Sequence, residues 1–375
     1  MAAGRLAVWL LSALRPFLLE VNTTQGGREC YIDSMYSFGD SIADTGNTLR
    51  LGPSGGFAPP SASLPYGSTY KKPTGRCSDG LLMIDYFADA FNLPYLSPYL
   101  DKSAKFDRGV NFAVAGATAL DLSFFRGKGI MLPYSNVSLD VQVGWFNDHL
   151  KDVCSSKEDC SKKFEKALFF VGEIGGNDYN YALMQGKSID EVKTYVPEVV
   201  GRIMNAAKTV IDAGGNKIIV PGNFPLGCVP CYLTIYASGN STFDERNCLK
   251  DLNDFASFHN EHLRTAIADI KKDNPQVNIS YADHYNTFLD LIDRADTYGL
   301  SKSSLLKACC GTGGNYNFNF RSMCGNPAVP VCPDPTKSIS WDGIHLTQQA
   351  YKDMASQLLS SNEVLKQWKC QGKNL

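Results

Sequence analysis

Five short hydrophobic runs recur along the chain, and each ends close to Gly, Pro, Asn or Asp. Most positions in these runs are apolar, and β-branched and aromatic residues are common, which is typical of strands buried in a sheet. The runs cover residues 34–38, 110–114, 167–171, 217–220 and 278–281. The pattern therefore predicts five buried strands that are spread over most of the chain.

Between these runs, apolar residues recur with the period of an α-helix. The clearest example extends from Val192 to Val210, where apolar residues follow one another at spacings of three and four before two glycines end the segment. Similar patterns cover residues 81–91, 141–153, 248–272 and 348–359. Strands that alternate with helices predict an α/β fold with a mostly parallel sheet covered by helices on both faces.

Three predicted strands end beside residues that suit a binding or catalytic site. Ser41 follows the first strand, Gly116 follows the second, and the Gly-Gly-Asn-Asp segment 175–178 follows the third. Ligands of open parallel sheets bind in the crevice beyond the carboxyl ends of the strands. We therefore expect these three places to lie together.

The composition excludes some classes of function. The chain has 375 residues, with 36 Lys and Arg against 38 Asp and Glu and a net charge of −2, so it carries no basic field for nucleic acid. A small-molecule ligand is the better expectation. No linker, internal repeat or low-complexity tract divides the chain, which predicts a single domain over residues 28–375.

The N-terminus predicts export. Arg5 precedes the apolar stretch 6–14, which is too short to span a bilayer and resembles a secretory signal; a mitochondrial presequence is the alternative. The 12 cysteines favour the secretory pathway, as do N-glycosylation sequons at Asn22, Asn136, Asn240 and Asn278. We expect a signal peptide within residues 1–27 and a secreted, vacuolar or apoplastic glycoprotein without stable membrane insertion.

The even number of cysteines allows every thiol to be paired, although spacing does not determine the connectivity. Pairs are expected within three local groups: Cys154 with Cys160, Cys228 and Cys231 with Cys248, and Cys309 and Cys310 with Cys324 and Cys332. The Cys-x-x-Cys segment 228–231 is alternatively a redox motif or half of a zinc site. No second such motif and no paired histidines accompany it, so disulfides are favoured.

Ser41 and the Asp342-Gly-Ile-His345 segment predict a serine hydrolase. A serine hydroxyl is a poor nucleophile at neutral pH and needs a base that takes its proton. Asp342 lies three residues before His345, so its carboxylate can contact the imidazole Nδ1 and leave Nε2 facing Ser41.

The other four histidines fit this role less well. His149, His259 and His262 fall on predicted helices among polar neighbours and are interpreted as solvent-facing residues. His284 follows Asp283 at the end of a predicted strand and remains the alternative base.

Acyl transfer also needs donors for the developing oxyanion. The candidates are the backbone N–H of Ser41 or Ile42, the backbone N–H of Gly116 and the side-chain amide of Asn177. Glycine allows close approach of a backbone N–H, and an amide donates without ionising. The alternative is that these glycines only form tight strand-to-helix turns.

Neither a metal nor a cofactor is expected. Asp40, Asp44 and Asp178 could be metal ligands, but no histidine accompanies them, and each has a turn or helix-capping role available. The glycine-rich segment 311–314 lacks the Lys-Ser/Thr end of a phosphate-binding loop.

A proline-rich loop over residues 51–70 carries the aromatic residues Phe57, Tyr66 and Tyr70. We expect it to lie near Ser41 and to shape a pocket, the alternative being a surface loop stiffened by proline.

Four sequence blocks, in this order along the chain, resemble the GDSL, or SGNH, esterase/lipase family of plants. They are residues 38–41, residues 109–113 with Gly116, residues 175–178 and residues 342–345. The resemblance implies a flavodoxin-like three-layer α/β/α domain. It also implies Ser41 as nucleophile, His345 as base and Asp342 as the group that orients it, with Gly116 and Asn177 as oxyanion donors.

The resemblance further implies a carboxylic ester hydrolase, and within the family the chain is most similar to secreted acyl esterases that act on specialised metabolites. The expected substrate is a small acetyl or hydroxycinnamoyl ester, for example of an alkaloid, cleaved through an acyl-Ser41 intermediate. The alternatives are an acyltransferase with the same triad, a secreted lipase, and a secreted binding glycoprotein without activity. Because Ser41 lacks a Gly-x-Ser-x-Gly elbow, an ordinary α/β-hydrolase is disfavoured.

Overall fold

The computed structural model describes residues 31–52, 59–368 and 370. The predicted signal peptide, the sequon at Asn22, Cys30 and Phe57 lie outside the described residues.

A five-stranded, fully parallel sheet forms the centre of the structure. Its strands are β1 Ser34–Phe38, β2 Gly109–Asn111, β3 Ala167–Val171, β4 Lys217–Pro221 and β5 Asn278–Ala282. Their order is β2-β1-β3-β4-β5, which is the flavodoxin-like order. The five predicted strands are thus confirmed, but β5, at the edge of the sheet, is only partly buried. β2 ends earlier than predicted because the Asn111 side chain accepts a hydrogen bond from the Ala113 N–H (2.8 Å) and turns the chain.

The helices alternate with the strands as predicted. They are α1 Asn47–Leu51, α2 Met83–Ala90, α3 Leu122–Gly127, α4 Leu139–Val153, α5 Lys157–Lys163, α6 Gly176–Met184, α7 Ile189–Lys193, α8 Val196–Asp212, α9 Pro230–Tyr236, α10 Lys250–Asp273, α11 His284–Asp293, α12 Gln348–Ser361 and α13 Glu363–Trp368. Within the described ranges, none has the length and apolarity needed to cross a membrane.

The segment predicted as one helix from Val192 to Val210 consists of two helices. α7 ends at Lys193 and α8 begins at Val196, with Pro197 in its first turn. Proline lacks an N–H and restricts the residue before it, so the helix cannot run through this point. The apolar spacing continues across the break and therefore did not reveal it.

Successive side chains of the strands enter two separate cores, one on each face of the sheet. Phe169 and Val171 of β3 belong to one cluster, and Leu168 and Phe170 belong to the other. The first cluster includes residues of α4 and α6 to α10, whereas the second includes residues of α2 and α11 to α13. The predicted three-layer α/β/α architecture is therefore confirmed.

Disulfides form within each expected group of cysteines. In the described part of the chain they join Cys154 to Cys160, Cys228 to Cys248, Cys309 to Cys332 and Cys310 to Cys324. The expectation that every thiol could be paired is wrong, because Cys77 and Cys231 are free and buried. Cys231 lies in the first turn of α9, where its N–H donates to the Gly343 carbonyl (2.9 Å), while its neighbour Cys228 takes Cys248 as its partner.

Candidate active site

Ser41 lies in the turn that follows β1, at the carboxyl edge of the sheet. Gly39 adopts a φ of 150°, and a Cβ there would approach the Glu173 carbonyl oxygen to 2.8 Å, so the turn requires glycine. Gln142 of α4 holds the same residue from the other side. Its side chain accepts a hydrogen bond from the Gly39 N–H (2.9 Å) and donates to the Gly39 carbonyl (2.8 Å). The position of the Ser41 hydroxyl is therefore fixed by its surroundings.

The structure brings Ser41, His345 and Asp342 together in one line of hydrogen bonds. The Nε2 atom of His345 lies 2.9 Å from the Ser41 Oγ, and its Nδ1 lies 2.7 Å from the Asp342 Oδ2. The other carboxylate oxygen of Asp342 accepts the backbone N–H groups of Ile344 (2.9 Å) and His345 (2.8 Å). This is the arrangement expected from the spacing of the two residues, with the carboxylate on Nδ1 and the serine on Nε2.

The charges around His345 favour its protonated form. Burial alone would lower the pKa of His345, but the charge and hydrogen bond of Asp342, with a contribution from Asp40, outweigh burial and raise it. For Asp342, burial would raise the pKa, yet the contacts with His345 and Tyr66 hold it below the ordinary value. Asp342 is therefore ionised at neutral pH, and the base titrates above the ordinary histidine value of about 6.5.

Tyr66 is a member of this network that the sequence did not reveal. Its hydroxyl donates to the Asp342 Oδ2 (2.7 Å), and its buried ring packs edge-on against Trp341. In the described part of the loop, Tyr66 thus lies near His345 and Ser41, as expected, but it contacts the Asp342 carboxylate and does not line the cavity beside Ser41. The only sequence signal was an aromatic residue in a long loop.

We expect Tyr66→Phe to lower kcat by about tenfold or less, because Asp342 keeps its two backbone donors. The phenol partly neutralises Asp342, so its loss strengthens the attraction between the carboxylate and the imidazolium and raises the pKa of His345. The acid limb of the pH profile of kcat/KM should therefore move to higher pH. Tyr95→Phe is the matched control, since Tyr95 also donates to an aspartate, Asp89 (3.2 Å), on the surface. An acid limb that moves to lower pH would contradict this assignment.

Two of the backbone N–H groups predicted as oxyanion donors carry no hydrogen bond in the described part of the chain. Among the described residues, neither the N–H of Ser41 nor that of Gly116 has a hydrogen-bond acceptor. Gly116 has a φ of 79°, its carbonyl accepts from Tyr181 (2.8 Å), and a Cβ would come within 2.9 Å of the Tyr181 hydroxyl. The alternative donor, the Ile42 N–H, is already bonded to Asp40 (2.9 Å). Ser41 and Gly116 are thus the available backbone donors.

Asn177, in the first turn of α6, also lies at this place. Its side-chain Nδ2 donates to the Asp40 Oδ2 and to the Ala117 carbonyl, both at 3.0 Å. Both N–H bonds of the amide are used in this state, so donation to an oxyanion requires exchange of one of them. Burial raises the pKa of Asp40 to about 7, which makes it a weaker acceptor in its neutral form.

The remaining acidic candidates have structural partners. The carboxylate of Asp44 accepts the backbone N–H groups of Gly46 and Asn47 (both 2.7 Å), and that of Asp178 accepts those of Ala119 (2.8 Å) and Leu120 (2.9 Å). Within the described ranges, no group of three His, Cys, Asp or Glu residues is arranged to hold a metal ion.

The prediction that His149 and His259 face solvent is wrong. Both are buried: His259 contacts the Tyr179 hydroxyl (2.7 Å), and His149 packs edge-on against Phe106. Aromatic partners from distant segments cover them, and the polar neighbours in sequence lie on other sides of the helices. His284, the alternative base, packs against Phe224. The imidazole that contacts the Ser41 hydroxyl is that of His345.

A cavity of about 60 Å³ opens beside Ser41, and most of its lining residues are apolar. Its apolar lining comes from Phe224, Leu226, Val229, Tyr232, Phe288 and Ile344. Glu173, Asn180 and Asn223 add polar groups to the wall. An ester with a carbonyl at Ser41 can therefore extend into a compact space with both apolar and hydrogen-bonding surfaces.

Proteins of known family resemble this chain over most of its length. Residues 35–358 match the family model of the GDSL-like lipase/acylhydrolases. The chain is 43% identical to acetylajmalan esterase of Rauvolfia serpentina, over 93% of this chain and 90% of that protein. It is 46% identical to sinapine esterase of Brassica napus, over 87% of this chain and 85% of that protein. This chain therefore belongs to the GDSL-like lipase/acylhydrolase family and is a carboxylic ester hydrolase.

Proposed function

We propose that the protein hydrolyses a small carboxylic ester through a covalent acyl-Ser41 intermediate. The observation that carries this proposal is the 2.9 Å contact between the Ser41 hydroxyl and His345, whose other nitrogen is held by Asp342. Such a chain of contacts allows the imidazole to take the serine proton while the carboxylate stabilises the positive charge that forms.

In the first half of the reaction, the Ser41 Oγ attacks the ester carbonyl carbon and its proton passes to the His345 Nε2. The negative charge that develops on the carbonyl oxygen is bound by the N–H groups of Ser41 and Gly116. His345 then protonates the departing alcohol. In the second half, His345 takes a proton from the water that attacks the acyl carbon. It then returns this proton to the Ser41 Oγ as the bond between that oxygen and the acyl carbon breaks, and the acid is released.

Asn177 is the third donor in this proposal. Its amide exchanges the hydrogen bond to Asp40 or Ala117 for one to the oxyanion, so this contact is made along the reaction path and not with the bound substrate. Interactions that exist only in the transition state raise kcat and leave KM little changed.

We expect Asn177→Ala to lower kcat by about 10²–10³, the usual effect of removing one oxyanion donor. KM should rise much less. The matched control is Asn205→Ala on the exposed side of α8, which should behave like the wild type. A normal kcat with a strongly raised KM would assign Asn177 to substrate binding instead.

The proposed substrate is an acetyl or hydroxycinnamoyl ester of a plant specialised metabolite, for example an alkaloid. The compact cavity with its aromatic wall fits a single ring-bearing molecule better than a long acyl chain. The similarity to the proteins named acetylajmalan esterase and sinapine esterase supports the same class of substrate.

A panel of acetyl, hydroxycinnamoyl and long-chain esters, with the products identified, tests this proposal. Turnover of acetyl or hydroxycinnamoyl esters at rates well above that of emulsified triolein is expected. Robust hydrolysis of triolein without hydrolysis of the acetyl and hydroxycinnamoyl esters would contradict the proposed substrate class and identify the protein as a lipase.

We also propose that the protein is exported and glycosylated. The disulfides suit an oxidising compartment, and the sequon residues Asn136, Asn240 and Asn278 are exposed. Expressed in plant cells, the protein should carry N-glycans removable by a glycosidase and a processed N-terminus. Native material with an intact N-terminus and reduced cysteines would contradict this expectation.

A further inference from the structure

Asn223 follows β4 at the carboxyl edge of the sheet, and its backbone is held firmly. Asn260 of α10 grips it from both sides: the Asn260 side chain accepts from the Asn223 N–H (2.8 Å) and donates to the Asn223 carbonyl (3.0 Å). Both residues are about 1% exposed. These two hydrogen bonds fix the backbone of Asn223. They involve only its N–H and carbonyl groups and leave its side-chain amide unused.

The side chain of Asn223 lines the cavity beside Ser41, and neither its Oδ1 nor its Nδ2 has a hydrogen-bond partner among the described residues. Buried polar groups are nearly always paired, since an unpaired donor or acceptor costs about 1–3 kcal/mol. A buried amide with both ends unpaired, in the wall of a substrate cavity, is explained by a ligand that supplies an acceptor and a donor.

Glu173, which follows β3, presents a second group to the same place. A Cβ on Gly176, the first residue of α6, would lie 3.3 Å from the Glu173 Oε1 and 3.9 Å from the Asn223 Oδ1. Both oxygens therefore flank one point, and the absence of a side chain on Gly176 leaves that point open. No hydrogen bond joins the Glu173 carboxyl to another described residue, although it lines the cavity.

Burial, with the charges of Asp40 and Asp178, raises the pKa of Glu173 well above its ordinary value. Burial thus favours the uncharged carboxylic acid over the carboxylate, and a carboxylic acid both donates and accepts hydrogen bonds. The two side chains thus offer an uncharged set of donors and acceptors.

We propose that Asn223 and Glu173 form a subsite that binds a hydroxyl group of the ester substrate. A hydroxyl donates one hydrogen bond and accepts others, which matches an amide and a protonated carboxyl. A cation would leave the Asn223 Nδ2 unpaired, and an apolar group would leave both side chains unpaired. The inference rests on the proposed ester hydrolysis and narrows its substrate to hydroxylated esters.

The test uses pairs of esters that differ only by one hydroxyl. Methyl para-hydroxycinnamate and methyl cinnamate place it on the acid, whereas para-hydroxyphenyl acetate and phenyl acetate place it on the alcohol. The wild type should prefer the hydroxylated member of one pair by about tenfold or more in kcat/KM, because the plain ester leaves buried groups unpaired. Equal kcat/KM values within both pairs would overturn the proposal.

Variants of Asn223 and Glu173 test whether these two residues cause the preference for the hydroxylated ester. Asn223→Leu and Glu173→Leu should reduce the ratio within the preferred pair to near one, whereas Glu173→Gln, which keeps a donor and an acceptor, should retain most of it. Asn205→Leu and Glu198→Gln, both exposed on α8, are the matched controls. Because the Asn223 side chain makes no hydrogen bond with another described residue, Asn223→Leu should not lower Tm. An unchanged ratio in both leucine variants would overturn the proposal; if one of them fails to fold, the other decides.

Comparison of a cationic ester with an uncharged one tests whether the subsite binds a cation instead of a hydroxyl group. Acetylcholine and its uncharged carbon isostere should be hydrolysed similarly by wild type and by Glu173→Gln. A strong preference for the cationic ester that Glu173→Gln abolishes would overturn the hydroxyl assignment.

Protection of Ser41 from a fluorophosphonate by the same ester pairs measures binding without turnover. Stronger protection by the hydroxylated ester in the absence of any ester hydrolysis would retain the subsite and reject the proposed function. Ester hydrolysis with equal protection by both members of each pair would retain the proposed function and reject the subsite.

Discussion

Ser41→Ala is expected to reduce ester hydrolysis by about 10⁶-fold, the loss known for removal of a triad nucleophile. The methyl group of alanine cannot attack the carbonyl, and the hydrogen bond to His345 disappears with the hydroxyl. The fold should remain intact, because Ser41 is half-buried and the loss of one oxygen leaves little cavity. The measurement is kcat/KM on the preferred ester, with Tm as the test of folding.

Labelling by a fluorophosphonate complements the kinetics, since it requires an activated serine. The wild type should be labelled at Ser41 and Ser41→Ala should not be labelled, whereas the exposed control Ser123→Ala on α3 should behave as wild type. Substantial hydrolysis by folded Ser41→Ala would reject the acyl-serine mechanism. An unlabelled wild type would show that Ser41 is not activated and would likewise reject that mechanism.

Asp342→Asn is expected to cost about 10⁴ in kcat, less than the loss of the nucleophile. The carboxylate accepts the Nδ1–H of His345, and an amide NH₂ at the same place would favour the tautomer that carries its proton on Nε2. That tautomer cannot accept the Ser41 proton. Because the two backbone N–H groups also bind this side chain, the loop should keep its shape.

The residual activity of Asp342→Asn should also depend differently on pH. The negative charge of Asp342 raises the pKa of His345, so its removal lowers that pKa, and the acid limb should move to lower pH, opposite to the shift expected for Tyr66→Phe. Asp269→Asn, exposed on α10, is the matched control. Activity within tenfold of the wild type would show that Asp342 is dispensable.

The fold was largely predictable because its information is local. A strand buried on both faces is apolar at most positions, as β3 and β4 are, and even the partly buried edge strand β5 keeps apolar residues at Ile279, Tyr281 and Ala282. Long amphipathic helices such as α8 and α10 show an equally clear period. The break before α8 was missed because hydrophobic spacing indicates only which side of a helix is buried. It carries no information on the backbone restriction that Pro197 imposes.

The site was predictable where its members are neighbours in sequence, as Asp342 and His345 are. Tyr66 and Asn223 were not, because their roles depend on contacts between distant segments; Tyr66 and Asp342 are 276 residues apart. The same reason explains the error at His259. The polar neighbours of His259 in sequence suggested that its side chain faces solvent. In the structure it is buried and contacts Tyr179, which lies 80 residues earlier in the chain.

The separation of 304 residues between Ser41 and His345 has a consequence for the synthesis of the protein. The ribosome adds Ser41 304 residues before His345, and the whole sheet up to Ala282 is available for folding before His345 is added. Under the proposed mechanism, Ser41 lacks the imidazole that activates it until His345 has been added. A nascent chain is then inert towards esters until the segment around His345 has emerged and contacted Ser41.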